Sequence, residues 1–281
     1  MTEFVPQERG INIRNPSTAN LYIDSLDRVN PLINSSSDFI ISKQTNILSG
    51  FFTRIAINEV VLDWAVPNIS AKRGNNTFTA TVGTTTRTVT LNDDFYNVKQ
   101  CLDTLVRLLN TAFGGTNFSI APTTTGSSVF FTNTNNWTFT ETILSDMLDI
   151  RTGDDPTVRN KYVQAPKLLS TTYIDITSDS LTYCQNLKDG STSAKDVDVL
   201  YRWYFAWDGE TTYDAYGYPI IQGYKPFTQR RSIAFPKQIK WDNIQPIGQL
   251  AFRVYNSAGN VLDLSTGETM EFMVSALVSE V

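Results

Sequence analysis

The sequence predicts a mainly β protein: a sandwich or barrel body, a small α+β unit set into it, and an extended N-terminal arm. Three observations carry this reading. Short alternating runs bounded by Gly, Pro, Asn or Asp recur on both sides of the chain's middle, as they do in packed antiparallel sheets. Between residues 75 and 150 one run has helical spacing, with Val98, Cys101, Leu102, Leu105, Leu108, Leu109 and Ala112 in register, and Thr-rich alternating segments flank it. Residues 1–18 mix Pro6, Gly10 and Pro16 with scattered apolar side chains and show no period.

The arm carries Phe4, Val5, Ile11 and Ile13, which suit contact with a neighbouring chain; the plainer alternative is a frayed terminus. Leu21-Tyr22-Ile23 opens a strand that ends in Asp24-Ser25-Leu26-Asp27-Arg28, where Asp and Ser can bond their own downstream backbone. Asp24 and Asp27 have the look of an acid/base pair, but a turn balanced by Arg28 explains them more simply. After the loop Asn34-Ser35-Ser36-Ser37-Asp38, Phe39-Ile40-Ile41 starts another strand. From Phe51 the apolar face holds Phe51, Ile55 and Ile57, with Thr53 between, and then shifts to Val60, Leu62 and Trp64. That change of phase predicts a β-bulge near Asn58-Glu59.

Residues 75–91 predict a hairpin turning at Gly83. Asn92-Asp93-Asp94 supplies an N-cap for the helix and Gly114-Gly115 its stop. A second hairpin is expected from 118–120 and 128–131 around Thr123 to Gly126. Trp137 and Phe139 lie on a further strand, and 143–150 forms a short helical turn. From Tyr162 the β pattern resumes, with strands expected at 173–176, 181–184, 197–207, 232–235, 239–241, 249–255 and 270–278. Residues 256–260 should turn a hairpin onto 261–264. The expected division is an arm at 1–19, a discontinuous β body at 20–74 and 160–281, and an inserted α+β unit at 75–159.

Composition narrows the function. The chain of 281 residues carries 23 Lys and Arg against 28 Asp and Glu, a net charge of −5, which argues against direct nucleic-acid binding. It has no histidine, which removes Ser-His and Cys-His nucleophiles and His-ligated metals. Cys101 and Cys184 lack metal-ligand spacing and read as core residues. Asp93-Asp94 reads as helix capping rather than a metal pair, and Asp196-Val197-Asp198 lacks calcium-loop spacing. Phosphate-binding and nucleophile-elbow motifs are absent from the sequence, so no cofactor and no catalytic residue is assigned. Five Asn-x-Ser/Thr sequons, at Asn34, Asn68, Asn75, Asn117 and Asn136, read as chance products of an Asn- and Thr-rich chain. The start of the chain lacks signal-peptide order, and no run reaches the roughly 20 apolar residues of a membrane span. A protein made in the cytosol and not exported is expected.

The densest aromatic stretch is Trp207 through Tyr213, Tyr216, Tyr218 and Tyr224, with Asp208 and Glu210 beside it. A packed structural loop is the first reading, an exposed protein or glycan contact surface the second, and a carboxylate-based glycoside hydrolase the third.

Tyr22-Ile23-Asp24-Ser25-Leu26-Asp27-Arg28, the Ser-Asp-Phe at 37–39 and the strand running into Val66-Pro67-Asn68 resemble the N-terminal half of the minor capsid, or penton, proteins of virophages and related eukaryotic double-stranded DNA viruses. Asn76-Thr77-Phe78, the helix through Leu105 to Asn110, and Phe130-Phe131-Thr132-Asn133 are similar to that family's inserted region. Gly248 to Tyr255 with Gly259-Asn260 is similar to its last hairpin. The resemblance implies a single jelly roll with an insertion. It implies a homopentamer at an icosahedral vertex of the virion, bordered by a double-jelly-roll major capsid protein and by other minor capsid or cement proteins. Synthesis in the host cytoplasm or viral factory is implied, with no catalytic residue. Candidate subunit-interface residues are Phe4, Ile11, Ile13, Asp24, Asp27 and Arg28.

Overall fold

The computed structural model describes residues 18–31, 34–45, 47, 52–115, 117–122, 128–152, 159–182, 199–205, 212–236, 238–240, 247–264 and 267–280. The chain opens with β1 (Thr18–Asp24), β2 (Asp38–Ser42) and β3 (Arg54–Ala65). It then forms β4 (Thr77–Val82), β5 (Thr85–Thr90), α1 (Val98–Phe113), β6 (Phe118–Pro122), β7 (Val129–Asn133), β8 (Trp137–Thr140), α2 (Ile143–Met147), β9 (Ile150–Thr152) and β10 (Asn160–Val163). Next come β11 (Tyr173–Thr177), α3 (Asp179–Thr182), β12 (Val199–Tyr204), the short β13 (Thr212–Tyr213) and β14 (Pro219–Ile220), β15 (Phe227–Ser232), β16 (Gln238–Lys240), β17 (Gln249–Asn256) and β18 (Thr269–Ser279).

Two antiparallel sheets make the body. One runs β1-β18-β3-β15, with β16 also on β3; the other runs β12-β11-β17-β2. Counting the eight principal strands in chain order gives 1-8-3-6 and 2-7-4-5, the strand order of a jelly roll. The period-two pattern dictates which faces meet. Along β18, Met270, Phe272, Val274, Ala276 and Val278 are buried while the residues between them turn outward. On β3 the pairing passes from Ser275 opposite Glu59 to Ala276 opposite Ile57, which leaves Asn58 as the extra residue. The bulge therefore lies where the phase change predicts it, and it keeps Ile55, Ile57, Val60, Leu62 and Trp64 all on the core side.

Aromatic rings join the two sheets at both ends. Phe39 of β2 stacks on Phe252 of β17 at 5.3 Å and meets Phe272 of the opposite sheet at 5.6 Å. At the other end Trp64 lies 4.6 Å from Phe205. Each fully buried ring of this kind is worth about 1.5–3 kcal/mol.

Residues between β3 and β11 build a second apolar cluster. The β4–β5 hairpin turns at Gly83, whose φ of 59° suits glycine, and Thr79–Thr88 and Thr81–Thr86 hydroxyl pairs line its outer face. Its sheet runs β5-β4-β8, and a second runs β6-β7-β10-β9. Helix α1 buries Val98, Cys101, Leu102, Leu105 and Leu109 on these sheets, so its apolar stripe covers its own unit. It ends at Gly114 with φ 72°.

Several expectations need correction. The helix cap is Asn97, boxed with Gln100, and not Asn92-Asp93-Asp94. Phe95 and Tyr96 stay extended because the Tyr96 N–H donates to Asn68, while Asp93 and Asp94 accept from Ala71 and Phe95. β10 was expected with the body, yet it pairs with β7 and β9. The expected strand at 181–184 is helical at Asp179–Thr182, with residues 183 and 184 outside the described residues. The strand expected at 232–235 lies earlier, at Phe227–Ser232, because its partner is β3 at residues 59–64. Residues 261–264 make one bridge, Val261 to Tyr255, and then turn Leu262 into the core. The turn at 123–126 and the residues 196–198 lie outside the described residues.

At the junction of the two clusters sits a buried asparagine. Asn68 donates through Nδ2 to the carbonyls of Tyr96 and Leu168, both at 2.9 Å, and accepts from the Tyr96 N–H at 2.9 Å. Its own carbonyl accepts from Asn75, whose Oδ1 takes the Ser70 N–H at 2.8 Å. Both Asn68 and Asn75 are buried, which suits the chance reading of those two sequons. Replacing Asn68 by Ala strands three backbone groups in a buried site. The expected loss is about 3 kcal/mol or more in a chemical denaturation series. A change no larger than that of an exposed control, Asn136→Ala, would contradict this account.

Candidate assembly surfaces

The first surface follows β1. Asp24 caps a short 3-10 turn at Ser25–Asp27 by accepting the Leu26 N–H at 2.9 Å. Ser25 is buried; its Oγ donates to Glu271 at 2.5 Å and accepts the Phe272 N–H at 2.8 Å. Arg28 does not balance Asp24 or Asp27 as the sequence reading expects. Its Nη1 donates to Glu271 at 2.9 Å and to the Ser25 carbonyl at 2.7 Å, and its Nε donates to the Asn34 carbonyl. Only 9% of the Arg28 side chain is exposed, so the pair is sheltered and clamps the turn onto β18. Asp27 stays exposed, as do Tyr22 and Leu26. Nothing among the described residues pairs with the outer edge of β1. Phe4, Ile11 and Ile13 lie outside the described residues.

The aromatic stretch is not a free platform. Trp207 lies outside the described residues, and Tyr213 is exposed. Tyr218 and Tyr224 are each 4% accessible and pack into the second apolar cluster, which fits the packed-loop reading and not the exposed contact surface. The Tyr218 hydroxyl donates to the Val163 carbonyl at 2.6 Å and accepts the Val129 N–H at 3.1 Å. The Tyr224 hydroxyl accepts the Leu168 N–H at 3.1 Å. Half-buried Tyr216 donates to Asp103 of α1 at 2.6 Å, and Lys99 lies over its ring at 5.0 Å. Asp214 accepts the Lys99 N–H at 3.0 Å, so this segment also caps the start of α1. The physical reason is that the inserted unit's sheets and single long helix leave an apolar side open, and these rings close it.

The third feature escaped the sequence reading. Phe235, in the link between β15 and β16, is 94% exposed. Strand patterning around 232–235 hides it, because alternation alone places it on a sheet face.

No group of three or more Cys, Asp or Glu among the described residues is placed to hold a metal ion, and no helix among them is long and apolar enough to cross a membrane. The thiol of Cys101 is pushed up by burial, which keeps it protonated.

Burial pushes Tyr224 up from 10.0 to about 12 and also raises Tyr218. Burial, then the hydrogen bond to Asp103, raises Tyr216. A raised folded-state value favours the neutral phenol, so this stabilisation is complete below pH 10 and fades as pH climbs towards 12. Unfolding free energy is therefore expected to fall between pH 10 and 12, less steeply in Tyr224→Phe, with phenolate absorbance rising in step. Equal slopes for the two proteins would contradict the burial of Tyr224.

No protein-family model matches the chain, and no curated protein matches its sequence. Among solved structures it is similar to the mavirus penton protein, with a TM-score of 0.51 and 10% identity, over 95% of this chain and 100% of that one. A chain from the cryo-EM structure of the Sputnik virophage aligns over 94% of this chain and 98% of its own, with 8% identity and a TM-score of 0.47. At such identity the likeness is one of fold: this jelly roll with its inserted unit has the fold of the mavirus penton protein, from one end of that chain to the other.

Proposed function

We propose that the chain is a structural subunit of an icosahedral virus particle and forms its pentameric vertex. One observation carries the reading: the fold match to the mavirus penton protein spans the whole of that protein and includes the insertion. The chemistry agrees with it. Buried tyrosines, an asparagine network and sheltered ion pairs hold elements together, and the chain contains no histidine. In this reading the protein is not an enzyme, and its place is the virion.

A ring of five identical subunits closes through a heterologous contact, in which one flank of each copy meets a different flank of the next. The arm at 1–19, with Phe4, Ile11 and Ile13, reaches a neighbour, and Asp24 and Asp27 face a partner at the β1 side. The remaining partners are a double-jelly-roll major capsid protein around the vertex and other minor capsid or cement proteins. We assign 20–74 and 164–281 to the shell-forming body and 75–163 to an outward unit, the expected boundary at 159 moving past β10 because that strand pairs with β7 and β9. The glycan-platform reading loses support because Tyr218 and Tyr224 are buried.

Native mass spectrometry of the purified protein, alone and released from particles, tests this. The expected species has five times the 31.5 kDa protomer mass. A strictly monomeric protein, with no five-fold density in assembled particles, would overturn the proposal.

A further inference from the structure

The body offers a knob on one flank and a groove on the other. β15 and β1 are the opposite edges of one sheet. On the β15 flank, Phe235 projects from the link to β16 with 94% of its surface in solvent. That link is itself anchored: the Ile233 N–H donates to the Asn58 carbonyl at 2.8 Å, and Ile233 packs against the core. The backbone two residues before the ring is thus fixed to the core, which lowers the entropy lost when the ring docks.

On the opposite flank the two sheets part between the edge strands β1 and β2. The groove there has about 850 Å³ of space, open mouth included, and Leu21, Ile23, Ile41, Ile47 and Leu250 line it. Asn20, Tyr22, Asp27, Lys43 and Thr45 share the lining, so the groove offers an aromatic ring apolar contact beside polar groups. The charges of the two segments differ in sign: residues 225–240 carry five Lys or Arg and no Asp or Glu, two of them already engaged within the chain, Arg230 by Glu59 and Arg231 over the Trp203 ring. The groove side presents Asp24 and Asp27, with Arg28 already engaged by Glu271; among the described residues Lys43 is the one cation in its lining.

We infer that Phe235 of one copy seats in the β1–β2 groove of the next copy, and that this contact closes the ring. The inference rests on the pentamer reading above. It names the two different patches that such a ring needs, one on each flank of the same chain. A groove on the same flank as the knob would give a closed pair; opposite flanks let copies follow one another head to tail.

Two measurements test it. Sedimentation of wild type and Phe235→Ala should show pentamers dissociating at roughly tenfold to a hundredfold higher concentration in the variant, the effect of one buried Phe per contact. Thermal melting at a concentration where both are monomeric should agree between them, because Phe235 is exposed in the single chain. Separately, Phe235→Cys protein mixed with Thr45→Cys protein should form a disulfide-linked pair absent from either variant alone. Wild-type pentamers that Phe235→Ala leaves unchanged, with no cross-link in the mixture, would overturn the contact and leave the pentamer standing. If deleting residues 1–17 weakens the ring while Phe235→Ala does not, the arm fills the groove and the contact is likewise overturned. A wild-type chain that stays monomeric at every concentration, and is absent from five-fold vertices, overturns both readings together.

Discussion

The buried amide of Asn68 is the constraint on which the two halves of this molecule depend. It stands at the end of the body's third strand and bonds Leu168, where the chain comes back to the body a hundred residues later. The same side chain holds Tyr96 just before the long helix. A jelly roll accepts an insertion cheaply only where its two crossings lie side by side, because loop closure then costs little beyond what the native connection already costs. Asn68 enforces that closeness with groups that have no water to fall back on. Around it, Arg73 forks onto Glu268 at 2.7 and 3.2 Å, and Lys72 reaches Asp263. These ion pairs hold the chain against the body just before it enters the insertion, and the Asn68–Tyr96 bonds reach into the insertion itself.

What the sequence makes legible is whatever one strand or helix decides alone. The phase shift at Asn58, the helical stripe from Val98 and the alternation from Met270 each follow from local period, and the jelly roll follows from a family likeness carried by short motifs. What stays hidden depends on distant partners. Arg28 has two carboxylates within four residues and chooses Glu271, 243 residues away, because that pairing is sheltered. The helix cap falls on Asn97 because Asn68 holds Tyr96 extended, which no window around residue 95 reveals. That Tyr218 and Tyr224 pack is the first reading of their stretch, but what they pack on is hidden, because their partners Val129, Val163 and Leu168 lie 89, 55 and 56 positions earlier. Phe235 is the opposite case, an apolar residue in a strand-like run that stands exposed.

The tyrosine segment also alters how the insertion should be regarded. It is encoded between two body strands, β12 and β15, yet its rings belong to the other cluster. Asp214, Tyr216 and Tyr218 hold α1 and the β7–β10 sheet from outside their own stretch of chain. The insertion is therefore made from two separate segments, and neither contains all of its core. Attachment of this kind keeps the unit's position relative to the body fixed.

The pairing of β1 with β18 has a temporal meaning as well as a spatial one. Asp24 faces Met273 across the sheet, and Thr18 faces Ser279. A ribosome exposes β1 long before β18 exists, so this sheet lacks the strand that joins β1 to β3 until residues 269–279 have been made. Contacts of such sequence separation form slowly and leave strand edges open in the meantime. Until that late strand slots between β1 and β3, the β1–β2 opening has no settled shape. A nascent chain therefore lacks a finished β1 flank, which takes shape only when the last strand is in place.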